Sequence, residues 1–234
     1  MNTSAQETRP APSARQRRRQ RTHAAIHGAA LDLVADKGFK AATTDEIAQK
    51  AGVSPRTLFN YFAAKEDAVL GLRPPVLTDQ ILEQDQTRRN LYIFERIAHL
   101  LVDILVTSID GPSYPQLRLL LDTYPELRFR MRTHHLACEN VLADFLRSVD
   151  WQAFSQQGRK GPFIYRPCGS PTPLREHNVQ AALCITSALL RYIDLTQGIP
   201  DGPQRDTLIR EAVSTFRHLL REDTPTDPPS QGTP

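Results

Sequence analysis

Thr43-Thr-Asp-Glu-Ile-Ala-Gln-Lys-Ala-Gly-Val-Ser-Pro-Arg-Thr-Leu-Phe-Asn-Tyr-Phe62 decides the fold. Thr43 and Glu46 have the spacing of a capping box, which opens a helix by satisfying two orphan backbone donors reciprocally. Ile47, Ala48 and Ala51 give that helix an apolar side, and Gly52 stops it. Ser54 is a good N-cap, and Pro55 at the first helical position has no N–H to leave unsatisfied. Leu58 and Phe62 lie one turn apart and are expected to face inward. Helix, short turn with glycine, helix is the local plan of a helix-turn-helix.

The residues left outward on the second helix are Pro55, Arg56, Thr57, Asn60 and Tyr61. Such a set suits a helix lying in the major groove of DNA. Arg56 has the donor fork for guanine and Asn60 the donor–acceptor pair for adenine, with Pro55 beside them as a base contact. Thr43, Thr44, Thr57, Tyr61 and Lys65 are expected to contact phosphate, which positions a protein without reading sequence.

Upstream, Ile26, Ala30, Leu33 and Val34 recur with helical spacing, and Gly38 ends that helix. Before it stand Arg15, Arg17, Arg18, Arg19 and Arg21. They fit an arm that follows phosphates or enters the minor groove, and equally a basic solubilising tail; Arg21 is assigned to phosphate. Residues 1–65 hold 11 basic and 5 acidic residues, against 18 and 21 in the remainder. A basic head on a mildly acidic body follows.

Downstream the pattern stays helical. Helices are expected at 76–89, 90–109, 115–122, 125–148, 175–196 and 204–221, without any β-sheet signal. Residues 156–173 hold three glycines and four prolines and read as a long loop, pinned by Phe163, Ile164 and Tyr165 or carrying them as a strand-like patch. The expected organisation is a disordered tail at 1–14, a DNA-binding domain at 15–70, a regulatory and dimerisation domain at 71–223, and a disordered tail at 224–234.

From Ala29 to Phe39, then Thr43 to Phe62, then Lys65-Glu66, the chain closely resembles the N-terminal domain of the TetR family of regulators. Phe59 stands where that family most often has tyrosine, and Tyr61 where it often has histidine. The resemblance implies an all-α homodimer of about nine or more helices per subunit. It implies a three-helix DNA-binding domain, then a larger helical ligand-binding and dimerisation domain. It implies a four-helix interface from the last two long helices, about 175–196 and 204–221, and a small-molecule effector held between helices in the range 76–196. A two-fold dimer would meet a near-palindromic operator with its readers roughly 34 Å apart. Repression is the leading expectation; activation, or DNA binding without an effector, is the alternative. A protein-interaction module with the 156–173 loop as its contact surface is a third.

Other chemistry is not expected. Cys138, Cys168 and Cys184 are too few and too scattered for a disulfide framework or a zinc site. His134 and Cys138 share a helical face, but two ligands do not make a metal centre, and His135, His99 and His177 add none. Cys168 beside Arg166 is either a reactive thiol or a bystander. No nucleophile–base constellation, cofactor loop, signal peptide or membrane span is visible, so a cytoplasmic non-enzyme without cofactor or metal is expected.

Overall fold

Residues 13–111, 114–165, 173–196 and 203–219 of a computed structural model are described below. They are helical throughout, with eleven helices among them: α1 Ala14–Lys37, α2 Thr44–Lys50, α3 Pro55–Tyr61, α4 Lys65–Leu70, α5 Asp79–Thr87, α6 Ile93–Thr107, α7 Tyr114–Thr123, α8 Pro125–Ser148, α9 Trp151–Gln156, α10 Pro173–Thr196 and α11 Pro203–Leu219. The only pairings of strand type among them are two isolated bridges, Leu72 with Ile109 and Val149 with Tyr165.

Local chemistry explains where the helices begin. Ser13 and Gln16 form a capping box, so α1 opens inside the stretch expected to be tail. Thr43 and Glu46 form the expected one at α2, and Ser54 caps α3. Thr78 caps α5, which therefore starts at Asp79 and not at Val76. Asp150 accepts from the Ala153 amide and opens α9, a helix not among those expected from the sequence. Residues 1–12 and 220–234, which hold most of the first expected tail, all of the second and the end of the expected last helix, lie outside the described residues, as does Cys168.

Two units can be distinguished. One holds residues up to Pro75 together with Leu105–Ala137; the other holds Val76–Ile104 and the chain from Cys138 onward. In the first, α1 to α4 enclose a core of Ile26, Ala30, Val34, Phe39, Ile47, Leu58, Phe62 and Val69, joined by Leu117, Leu127 and Met131. Residues 105–137 thus pack with the expected DNA-binding head. Gly71 ends α4 in the left-handed region at φ 65°, where a Cβ would meet the Asp110 carbonyl oxygen at 1.7 Å. That contact lets residues 71–73 pair with 108–110 through two backbone hydrogen bonds of 2.8 Å. In the second unit, Ala98 and Val102 of α6 pack with Leu189 and Ile193 of α10 and Ile209, Ala212 and Val213 of α11.

The segment after α9 is less loop-like than its composition suggests. Gly161 donates to the Arg89 carbonyl at 2.7 Å, and its own carbonyl accepts from Arg96. Phe163 is buried against Phe145 and Phe154, and Asp150 donates to Ile164.

Candidate nucleic-acid interface

The turn between α2 and α3 is a full Schellman motif. Val53 donates to Ala48 and Gly52 to Gln49, which closes the last carbonyls of α2. It needs Gly52 at φ 69°, a conformation that L side chains rarely adopt. Ser54 then accepts from the Thr57 amide at 3.1 Å and starts α3 in a new direction.

On α3, Leu58 is fully buried and Phe62, which follows it, is 1% exposed, with the His23 ring 4.3 Å from the Phe62 ring. Burying a side chain of that size is worth about 1.5–3 kcal/mol, so the helix cannot easily roll over. Pro55, Arg56 and Asn60 are consequently exposed. Thr57 and Tyr61 are half-buried: the Thr57 hydroxyl bonds with Ser54 at 2.8 Å, and Tyr61 leans on the core. Phe59, which has no expected role, is 52% exposed and stands between Arg56 and Asn60 in the helix.

The flanking residues divide. Thr43 is exposed, with its hydroxyl donating to Glu46 at 2.7 Å, and Thr44 is half-buried. The Lys37 ammonium, then the Thr43 hydroxyl and amide, hold the Glu46 carboxyl down at about 2. Arg21 is exposed on α1, and the spacing of Ala14, Arg17, Arg18 and Arg21 lines one helical face with guanidinium groups. Lys65 behaves differently from the others. Its ammonium donates to the Phe39 and Ala42 carbonyls at 2.7 and 2.9 Å and sits 4.2 Å from the centroid of the Phe39 ring. An ammonium has three N–H groups, so one remains beyond those that meet the two carbonyls. Sequence spacing places Lys65 beside the motif but carries no sign of these carbonyls.

Behind the interface the same unit buries three histidines. His27 donates to the Ala68 carbonyl at 2.7 Å, and burial lowers its pKa. His23 is held down to about 4, chiefly by burial and then by Arg73; Asp110 lies 3.2 Å away without hydrogen-bond geometry. His134 hydrogen-bonds with Ser108 at 2.8 Å and is likewise lowered to about 4, first by burial. Cys138 is buried and Cys184 exposed; among the described residues no group of three or more His, Cys, Asp or Glu is placed to hold a metal. No described helix is long and apolar enough to cross a membrane.

Residues 26–70 match the family model described as bacterial regulatory proteins, tetR family. The chain is 26% identical over 212 residues to the HTH-type transcriptional regulator UidR of Escherichia coli, covering 86% of this chain and 90% of that one. It is 27% identical over 149 residues to YvkB of Bacillus subtilis, an uncharacterized HTH-type transcriptional regulator, covering 59% and 73%. It is 31% identical over 132 residues to the putative mycofactocin biosynthesis transcriptional regulator MftR of Mycobacterium tuberculosis, covering 56% and 66%. Among solved structures, Thermus thermophilus FadR in complex with lauroyl-CoA aligns over 90% of this chain and all of that one at 23% identity and TM-score 0.39. Salmonella enterica GusR aligns over 85% and 93% at 16% identity and TM-score 0.35.

Proposed function

This chain belongs to the TetR family of bacterial regulatory proteins, and from that premise we propose that it represses transcription by binding a near-palindromic operator as an effector-responsive homodimer. It is a DNA-binding regulator and not an enzyme. The observation that carries the reading is α3, which turns Leu58 inward and leaves Pro55, Arg56 and Asn60 in solvent. Arg56 reads guanine and Asn60 adenine through bidentate hydrogen bonds, each worth about 1–3 kcal/mol of discrimination. Pro55 touches a base beside them, and Phe59 supplies an apolar contact for a thymine methyl. Thr43, Thr44, Thr57, Tyr61, Arg21 and the remaining N–H of Lys65 hold phosphates and fix the register. A DNA ligand supports a cytoplasmic site of action.

Dimerisation draws support from α10 and α11. The outward face of α10 carries the small residues Ala181, Cys184 and Ala188, and that of α11 carries Thr207 and Ser214 together with Arg210 and Glu211. Small side chains let helices of two subunits approach closely, and a two-fold axis pairs such a face with itself. The effector acts by preferring the conformation that does not bind DNA, since equal affinity for both states shifts nothing.

Selection of bound sequences from a random duplex pool tests the reading. The expected product is an inverted repeat with half-sites about one helical turn apart, or a small multiple of it. Enrichment of an asymmetric site would reject the dimer geometry, and no enrichment at low salt would reject sequence reading.

A further inference from the structure

The second unit contains a cavity of about 290 Å³ that no part of the DNA-binding account uses. Tyr92 and Phe94 come to it from the start of α6, Val213 and Arg217 from α11, and Arg159 and Lys160 from the segment after α9. Its lining is therefore apolar and cationic, without an acidic residue. The Arg217 guanidinium lies 3.9 Å from the centroid of the Tyr92 ring, and the Lys160 ammonium 5.7 Å from the same centroid. Tyr92 nevertheless stays half exposed. Glu95, next to Phe94 in sequence, is turned inside and approaches Arg210 at 3.5 Å; it also acts through space on Arg217, but Arg159 and Lys160 have no such carboxylate among the cavity-lining residues.

The cationic segment is held in place. Gly161 is fixed on both sides of its peptide, by Arg89 and by Arg96, while Gln157 donates to the Lys160 carbonyl at 2.6 Å. Gly158 and Arg159 both take left-handed backbone, at φ 79° and 56°. For arginine that conformation is unfavourable, and it persists only where the surroundings over-determine it. Hydrogen bonds along residues 157–161, with left-handed backbone at Gly158 and Arg159, thus fix the segment that brings Arg159 and Lys160 to the cavity wall and Lys160 towards the Tyr92 ring. Pre-organised cations beside an apolar floor recognise an anion attached to an apolar body.

We propose that this cavity binds a small organic carboxylate with an aromatic or short aliphatic body, the carboxylate held by Lys160 and Arg217 and the body packed on Tyr92, Phe94 and Val213. The volume lies at the small end of ligand pockets, which suits a short body better than a long acyl chain or a nucleotide. As the effector site of the regulator, the proposal rests on the functional reading above; as a binding site it stands apart from it.

Phenylacetate, with phenylacetamide as its uncharged counterpart, is the probe. Methyl resonances of Ile93 and Val213 in the full-length protein report occupancy directly. Saturable shifts with phenylacetate, at least tenfold weaker with the amide, are expected. Both Arg217→Gln and the exposed Lys160→Gln are expected to weaken phenylacetate at least tenfold, so a folding defect in one variant leaves the other as the test. Equal response to acid and amide, or shifts unaffected in a folded variant, would overturn the site. Release of selected operator DNA by phenylacetate supports its role as effector site. Saturable binding with operator affinity unchanged would leave the site standing and overturn its coupling to DNA.

Discussion

In the unit that contains α2 and α3, the fully buried side chains are aliphatic and aromatic, and histidines are the principal polar residues among them. In the unit of α5, α10 and α11, a guanidinium ranks among the most buried side chains. Arg96, 1% exposed, forms a two-point pair with Asp85, donates to the Gly161 carbonyl at 2.6 Å and stacks 3.8 Å from the Phe163 ring centroid. Arg88 and Arg205 close on Asp103 at 2.5 and 3.2 Å in the same unit. The first unit keeps its arginines largely in solvent, from Arg15 to Arg21 and at Arg56, where a polyanion can reach them. The second uses arginine internally, to tie α5, α6 and the segment after α9 together. One residue type serves recognition in one place and architecture in the other, and burial decides which.

The largest way to break that contrast is Arg96→Ala. It leaves Asp85 buried without its counter-charge, and urea unfolding should show a loss of about 3–5 kcal/mol. Replacing both partners together, Arg96→Met with Asp85→Leu, should recover most of it, because the pair's desolvation cost disappears with its attraction. A double variant as unstable as the single one would contradict this account of the pair.

Acid should act on buried histidines of both units, since burial holds His99 of the second at about 4 as well. His23 and His134 are held down to about 4 by burial, below the ordinary value of 6.5. The unfolded chain then takes up protons before the folded one does. Their contribution is therefore fully present above pH 6.5 and is lost as pH falls through about 4. Urea midpoints at pH 7.5, 5.5 and 4.5 should decline in that order, with a smaller decline in a His134→Asn variant; a flat series would show that these rings carry no such linkage.

The smallest effect is expected at a cap. Ser54→Ala removes the acceptor for the Thr57 amide and should cost about 1 kcal/mol, with Ser54→Gly costing only a few tenths. Equal losses would mean that the serine acts through packing and not through its oxygen.

Much of the first unit is legible in its sequence because its signals are local. The capping box at Thr43, the stop at Gly52, the cap at Ser54 and the inward pair Leu58 and Phe62 all lie within one stretch and act on neighbours three or four residues away. Lys65 resists such a reading because its carbonyl partners lie 23 and 26 residues earlier. The segment after α9 reads as loop from its glycines and prolines, yet Arg96 anchors it from 65 residues away. α9 itself was readable: Asp150 opens it, and Trp151 and Phe154 share a face. The outward position of Phe59 follows from the same periodicity as Arg56, but only its exposure in the structure separates a surface contact from a core one.

The central claim is that the outward side of α3 reads bases while its inward side only holds the fold. The ratio of affinities for selected operator and random duplex, at one salt concentration, measures this in the wild type and in Arg56→Ala and Asn60→Ala. Each substitution should lower the ratio about 5- to 150-fold, the equivalent of 1–3 kcal/mol, with thermal stability unchanged. A ratio that stays constant while both affinities fall together would assign these residues to the phosphate backbone and contradict the claim.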